Sequence, residues 1–541
     1  MLGKFLILVI AILVGLFPKA FVISPLWDKD VCPTADYAQN LDHEHTQYIL
    51  HDNSFSSRVI ERFAGALRID TTIEDDPSPE DFEKFTLFHD YLKEQFPLAW
   101  ENAEVTIIND YSLVFEFIGS DKSLKPPLFM AHQDTVPFGD LKSWEYDPLS
   151  GKIDLEAGRV YGRGANDVKN LLVGLLGAVE EIFTVHGDIQ FKRGFILGFG
   201  HDEEISGYFG AEHIGEYLLS KYGPKGIDHI MDEGPPMFLD FGGRKVGLVV
   251  TAEKGYLDLH VEVNTPGGHS SNPRDVTSIG ILSDFLNSYE QEQFEPILTE
   301  DNPLMCTLEC VGQYGELPKA LTWITRLIRK NSLVNYLLRK FLVRKSLVKY
   351  TIQTAQAVDI IRGGDKINAL PRSAEAFINH RIAIGNDKFT VLEKAKKHAL
   401  KVAKKEKIGL IIDEEIILPE TGKGVMNIEI FGMARETAPL TPLYDDKWNR
   451  LAGYMRSFYE LEVYPQKFED NDDNYIVTPT SMQGNTDSVH YWKVTDHIYR
   501  VQPGITNLFE ANMHGNNEWV HIDTHLQVIG FYYNYILGIC L

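Results

Sequence analysis

The sequence predicts an α/β protein with a mostly parallel central sheet, an inserted α+β domain and a single hydrophobic helix at the N-terminus. Three observations carry this reading. From residue 56 to 255, apolar strand-like runs alternate with amphipathic helical segments, the pattern of a wound α/β sheet. Between residues 256 and 435, period-two strands flank helices instead, and helical segments resume after 435. The longest uninterrupted apolar run, Phe5–Phe17, stands at the N-terminus.

The elements follow in order. Phe5–Phe17 behind Lys4 suits a secretory h-region, and with the apolar Ala20–Trp27 it is long enough to cross a bilayer if Lys19 snorkels. Residues 1–27 are therefore read as a signal anchor or a signal peptide. The body is expected in a lumen of the secretory route, vacuole- or lysosome-like, or outside the cell after cleavage. Residues 28–55 are polar and read as a linker or stalk. Residues 56–255 form the first part of the larger domain. Helices are expected in 58–69 and 80–96, then strands in 103–109, 112–119 and 126–132. Helices 170–183 and 209–222 are expected to alternate with strands that end in Gly200-His201-Asp202-Glu203-Glu204 and Met231-Asp232-Glu233-Gly234. Residues 256–435 form the insertion, and 436–541 return to the first domain through helices at 445–460 and 525–538.

Composition bounds the function. The chain has 541 residues, 44% hydrophobic and 24% charged, which excludes a disordered or fibrous protein. A formal charge of −25 argues against a nucleic-acid partner. Cys32, Cys306, Cys310 and Cys540 are too few for a disulfide scaffold; Cys306 and Cys310 could form a short zinc or disulfide pair, but the favoured reading is buried or free thiols. Against the acidic background, Leu317–Tyr350 carries nine basic residues and no acidic one, with apolar residues interleaved. That segment fits either a lipid surface or a contact with the acidic body.

Polar clusters stand where predicted strands end, the place where ligands gather in α/β sheets. His132 and Asp134, two apart, share a face of an extended segment, and a carboxylate behind a histidine fixes its tautomer for metal binding. Asp167 follows the glycine-bearing loop Gly162–Asn166 and enters a helix. Glu203 and Glu204 are adjacent, so one can hold a metal while the other acts as base. Asp232-Glu233 ends another strand, and His514 lies in the loop Met513–Glu518. One histidine from each half and three carboxylates, with no cysteine, suit an open catalytic site in which two metals share a carboxylate.

These motifs resemble the M20 family of metallopeptidases, in its carboxypeptidase S branch of Gly-Xaa carboxypeptidases. The similarity rests on His132–Pro137 (HQDTVP), Gly162–Lys169 (GRGANDVK), Gly200–Glu204 (GHDEE), Met231–Gly234 (MDEG), Thr265–Ser271 (TPGGHSS), Ile367–Pro371 (INALP), Arg381 and Met513–Glu518 (MHGNNE), all in order over roughly residues 50–541. The resemblance implies a zinc-exopeptidase catalytic domain and an inserted lid of the dimerisation type. It implies two Zn2+ per subunit, held by His132, Asp167, Glu204, Asp232 and His514, with Asp167 bridging and a cis peptide after it. It implies that Asp134 supports His132 and that Glu203 is the general base. His269 would stabilise the oxyanion, often from a partner subunit, while Asn368 and Arg381 would hold substrate.

The implied function is a zinc-dependent carboxypeptidase that cleaves the C-terminal bond of short peptides such as Gly-Xaa dipeptides with a two-metal-activated water. The alternatives are an N-acyl-amino-acid hydrolase or aminoacylase using the same site, and an inactive membrane-tethered binding protein. The last would be expected to lack a ligand or the base, and none is missing. Expected partners are peptides or N-acyl amino acids with a free carboxylate, a second copy through the lid, and a membrane through the N-terminal segment.

Overall fold

The structure is a computed structural model. It describes residues 32–541 except 237–238, 242–243, 316–324, 326, 330, 345, 466–474 and 505–510. The expected N-terminal hydrophobic helix lies outside the described residues. Among the described residues no helix is long and apolar enough to cross a membrane.

A central sheet runs in the order Glu104–Ile108, Ser112–Phe117, Phe195–Gly200, Leu128–His132, Ile230–Pro236, Ile498–Gln502, Arg244–Glu253, Ile476–Met482. The expectation of a mostly parallel sheet needs correction, because the sheet is mixed. The four strands from Phe195–Gly200 to Ile498–Gln502 are mutually parallel. The first two strands join them antiparallel, and Arg244–Glu253 meets Ile498–Gln502 antiparallel. The cause at the first edge is local. Asn109 and Asp110 adopt left-handed conformations (φ 45° and 69°), which closes a tight hairpin, and a hairpin pairs its strands antiparallel.

The helix Lys169–His186 is buried along nearly its whole length and packs against the C-terminal helix Ile522–Cys540. Gly174 permits this approach, since a Cβ there would stand 2.4 Å from Val528 Cγ1. The same C-terminal helix overturns the stalk expected over 28–55. Asp42 and Asp52 cap helices His43–His51 and Asn53–Leu67. The backbone N–H of Asp42 donates to Asn534 Oδ1 (2.9 Å) and Tyr533 donates to Asp42 (3.0 Å). The buried Thr46 and Ile49 supply the apolar side that the polar composition concealed.

The second unit is a six-stranded sheet ordered Ala355–Gly363, Ser373–Ile382, Gly255–Asn264, Val425–Arg435, Gly409–Ile412, Glu415–Leu418. Its strand Gly255–Asn264 alternates strictly: Leu257, Leu259, Val261 and Val263 face a core shared with helices Ser278–Gln291 and Lys388–Glu406. The opposite face carries Tyr256, Asp258 and His260.

The basic segment shares a small core with the residues before it: Val334 and Leu342 belong to one cluster with Leu304 and Met305. Two of its cations pair with neighbouring acids: Arg329 with the buried Glu309 (2.8 Å) and, at the surface, Lys340 with Glu295 (2.6 Å). Lys319, Arg326, Lys330 and Lys345 lie outside the described residues. The cysteine reading also needs correction. Cys32 and Cys310 form a disulfide across 278 residues, while Cys306 and Cys540 are free and buried.

Candidate active site

The central parallel strands and the loops that follow them deliver the ionisable side chains to one place. His132, the last residue of its strand, is buried. Its Nδ1 lies 3.0 Å from the Asp134 backbone oxygen and 3.3 Å from Asp134 Oδ1. The Asp134 carboxylate is fully buried and also accepts the backbone N–H groups of Glu203 (3.1 Å) and Glu204 (3.0 Å). One carboxylate thus orients a histidine and the two acids in the turn after the neighbouring strand Phe195–Gly200 together.

Asp167 stands between two imidazoles. His132 Nε2 is 3.1 Å from its Oδ1, and His514 Nε2 is 2.9 Å from its Oδ2. His514 Nε2 is also 3.4 Å from Glu204 Oε1, a buried oxygen that makes no hydrogen bond. The Asp167–Val168 peptide is cis. The loop before it needs glycine: Gly164 has φ 81°, and a Cβ there would lie 2.6 Å from Thr135 Cγ2.

The fifth expected ligand, Asp232, has a neighbour that also approaches the cluster. Asp232 lies beside the cluster: its Oδ1 accepts the Glu233 backbone N–H (2.9 Å), its buried Oδ2 makes no hydrogen bond among the described residues, and both Arg500 and His132 act on its charge. Glu233 reaches the cluster, with Oε1 3.7 Å from His132 Nε2. Successive side chains of a strand point to opposite faces, and only the fold decides which face borders the cleft. Two triads can hold a metal ion, His132–Asp167–Glu204 and His132–Glu203–Glu233, each with its ligand atoms within 4.8 Å of one another. Four half-buried carboxylates against two histidines, of which His132 is buried, with Glu204 Oε1 making no hydrogen bond, fit a site built for divalent cations.

The electrostatics agree. Burial, then the charge of Glu233, pushes the Glu203 carboxyl well above the usual carboxylate range. Burial and Asp167 push Glu233 up to about 8. Burial opposes the charge on Asp167, but hydrogen bonds from His132 and His514 win and hold it down. Its bond with Asp167, reinforced by Glu204, pushes His514 up to about 10.

A cleft of about 480 Å³ opens beside the cluster, lined by Glu203, Glu204, His514, Arg381, Phe431 and Met433 among others. Arg381 therefore enters the same cleft from the second unit. His269 and Asn368 do not. Both are exposed on the short ribbon that pairs Gly268–His269 with Ala369–Leu370. There His269 Nδ1 meets only Ser271, at 2.7 Å from Oγ and 3.1 Å from N, among the described residues.

Two supports escaped the sequence reading. Glu518, fully buried, accepts Arg163 Nη1 (2.7 Å) and the backbone N–H groups of Gly164, Asn166 and Asp167. It thereby holds the loop that carries Asp167. In the His201–Glu204 run, Asp202 caps a turn through the N–H groups of Phe209 and Gly210, and His201 bonds Ser112, so only the two glutamates serve the cluster.

Residues 128–538 match the peptidase family M20/M25/M40. The chain belongs to the M20 peptidase family. It is 36% identical to carboxypeptidase S of Saccharomyces cerevisiae over 91% of this chain and 86% of that protein. It is 30% identical to an N-fatty-acyl-amino acid synthase/hydrolase of Bos taurus, over 88% of this chain and 86% of that protein. Its fold is that of human carnosine dipeptidase 1 (TM-score 0.62, 14% identity, covering 93% of this chain and 99% of that one).

Proposed function

We propose that this M20 peptidase is a di-zinc carboxypeptidase that hydrolyses the C-terminal bond of short peptides such as Gly-Xaa dipeptides. One observation carries the reading: the two oxygens of Asp167 each face an imidazole Nε2, at 3.1 and 2.9 Å, beside a cleft that also holds Arg381. His132, Asp167, Glu204 and His514 would hold the ions, with Asp167 shared and the adjacent Asp232 and Glu233 completing the set. When bound, such a pair supplies Lewis acidity that activates water and the scissile carbonyl. Glu203, positioned through its backbone by Asp134, takes the proton of the attacking water and returns it to the leaving amine. The planar guanidinium of Arg381 takes the free C-terminal carboxylate through paired hydrogen bonds, which makes the enzyme an exopeptidase. His269, exposed and away from this chain's cleft, would offset the oxyanion charge in the cleft of a second copy, joined through the second unit acting as lid.

The chain is further proposed to work in the lumen of a vacuole-like compartment, delivered by residues 1–27. The Cys32–Cys310 disulfide supports an oxidising compartment.

The test compares Gly-Leu with Gly-Leu amide in the wild type and Arg381→Ala, alongside metal analysis. Hydrolysis of the free acid, lost on chelation and restored by Zn2+, is expected. Arg381→Ala should raise KM for the acid alone; equal loss on both substrates would overturn the assignment of Arg381. A second reading, hydrolysis of N-acyl amino acids, is favoured by Phe431 and Met433, an apolar wall of the cleft. Faster turnover of long-chain N-acyl-leucine than of Gly-Leu would establish it.

A further inference from the structure

Arg381 and the carboxylate cluster belong to different units of the chain, and one side chain ties them together. Asn485 lies in the loop after the strand Ile476–Met482 of the central sheet. Its Oδ1 accepts from Arg381 Nη1 (3.2 Å), and its Nδ2 donates to the backbone oxygen of Lys254 (2.7 Å). Lys254 is the single residue between the central-sheet strand Arg244–Glu253 and the second-sheet strand Gly255–Asn264. Its buried ammonium donates to the backbone oxygens of Tyr350 and Gln353, both at 2.9 Å, so the carbonyl that Asn485 grips is itself held. The amide has one workable orientation. Reversed, it would set N–H against guanidinium and oxygen against oxygen.

The backbone behind Asn485 is anchored as well. Thr486 donates to Glu253 Oε1 (3.0 Å), and Glu253 pairs with Arg500 at 2.8 Å, both side chains sealed from solvent. On the far side, the Arg381 guanidinium stacks over the Tyr256 ring at 4.6 Å. Among the described residues Arg381 has no carboxylate within ion-pair distance, so its charge stays available to the cleft.

We propose that Asn485 is a positioning residue that sets the selectivity for a free carboxylate. It supplies a neutral acceptor that orients Arg381 across the boundary between the units without offsetting its charge. The inference rests on the role assigned to Arg381 above. An aspartate at 485 would hold the guanidinium but neutralise it, and an alanine would leave only the ring stack to aim it.

The experiment measures KM and kcat for Gly-Leu and Gly-Leu amide, and the Kd of free leucine by calorimetry, in full-length enzyme. Asn485→Ala is expected to raise KM for the acid and the Kd of leucine about tenfold, the scale of one hydrogen bond to a charged group. Its kcat and its KM for the amide should stay near wild type. Asn485→Asp should weaken the acid further while sparing the amide. Asn485→Gln, which keeps the amide group, should recover part of the loss. Adding Asn485→Ala to Arg381→Ala should change nothing more. Acid binding at wild-type strength in both Asn485→Ala and Asn485→Asp, with Arg381→Ala still impaired, would overturn this inference alone. So would equal losses on acid and amide. Unaltered acid preference in Arg381→Ala would overturn the assignment of Arg381, and this inference with it.

Discussion

Replacing Glu518 by glutamine tests how the Asp167 loop is held. Oε1 of Glu518 accepts Asn166 N at 2.7 Å and Asp167 N at 3.1 Å, while Oε2 accepts Arg163 Nη1 at 2.7 Å and Gly164 N at 3.1 Å. Burial lifts this carboxyl above its ordinary value even against Arg163, so the intact pair adds little net stability. Breaking it is another matter, because glutamine has one oxygen where two are needed. Its oxygen should stay with Arg163 and Gly164, the side with the charged donor. Its NH2 would then face the N–H groups of Asn166 and Asp167. Two buried donors lose their acceptor and Arg163 loses its counter-charge, although it keeps the backbone oxygens of Gly515 (3.1 Å) and Pro137 (3.2 Å). Removing one partner of a buried pair costs about 3–5 kcal/mol. The strain falls on the residue before Val168, so Asp167 should move. A displacement near 1 Å is worth about 100-fold in turnover. Urea unfolding, with kcat/KM measured at a temperature where the variant stays folded, checks both figures. An unchanged unfolding midpoint together with kcat/KM within twofold of wild type would refute the reasoning.

Three further outcomes are expected. Glu203→Gln should keep its zinc but lose about 100- to 10,000-fold in kcat, the range for a positioned base, as read by metal analysis beside steady-state kinetics. Glu233→Gln should weaken zinc retention about tenfold or more, as read by metal loss under competing chelator. His525 is buried, stacked on Phe63 at 4.7 Å, and burial lowers its pKa to about 3. A histidine depressed in the folded state leaves stability complete above the unfolded value of about 6.5, and stability falls as pH drops from there toward 3, by at most about 1.4 kcal/mol per pH unit. The stability gap between wild type and His525→Gln should therefore narrow between pH 7 and pH 5 in urea titrations, and a gap constant with pH would contradict it.

Much was legible in the chain because the physics was local. The periods of Leu257–Val263 and of Lys388–Glu406 identify a strand and a helix without any partner. The motifs around His132, Asp167 and Glu203-Glu204 lie at strand-to-loop junctions, where polar side chains have room to converge. What escaped the reading depends on faces and distant partners. The segment Asp42–Leu50 looked like a stalk because its apolar stripe is narrow, and it becomes helix only against Asn534 and Tyr533, nearly 500 residues away. The antiparallel edge came from two left-handed residues, Asn109 and Asp110, between runs that read equally well as separate strands.

The sequence by itself determined which kinds of atom this protein can offer a metal ion and which short motifs carry them, because composition and periodicity are properties of neighbours. Only the tertiary structure decided that Glu233 comes within 3.7 Å of His132, that Cys32 meets Cys310, and that Glu518 and Asn485 hold Asp167 and Arg381 in place. Which face of a strand is the inner one, and which distant group completes a hydrogen bond, are set by packing across the whole sheet, and no stretch of chain contains that information alone.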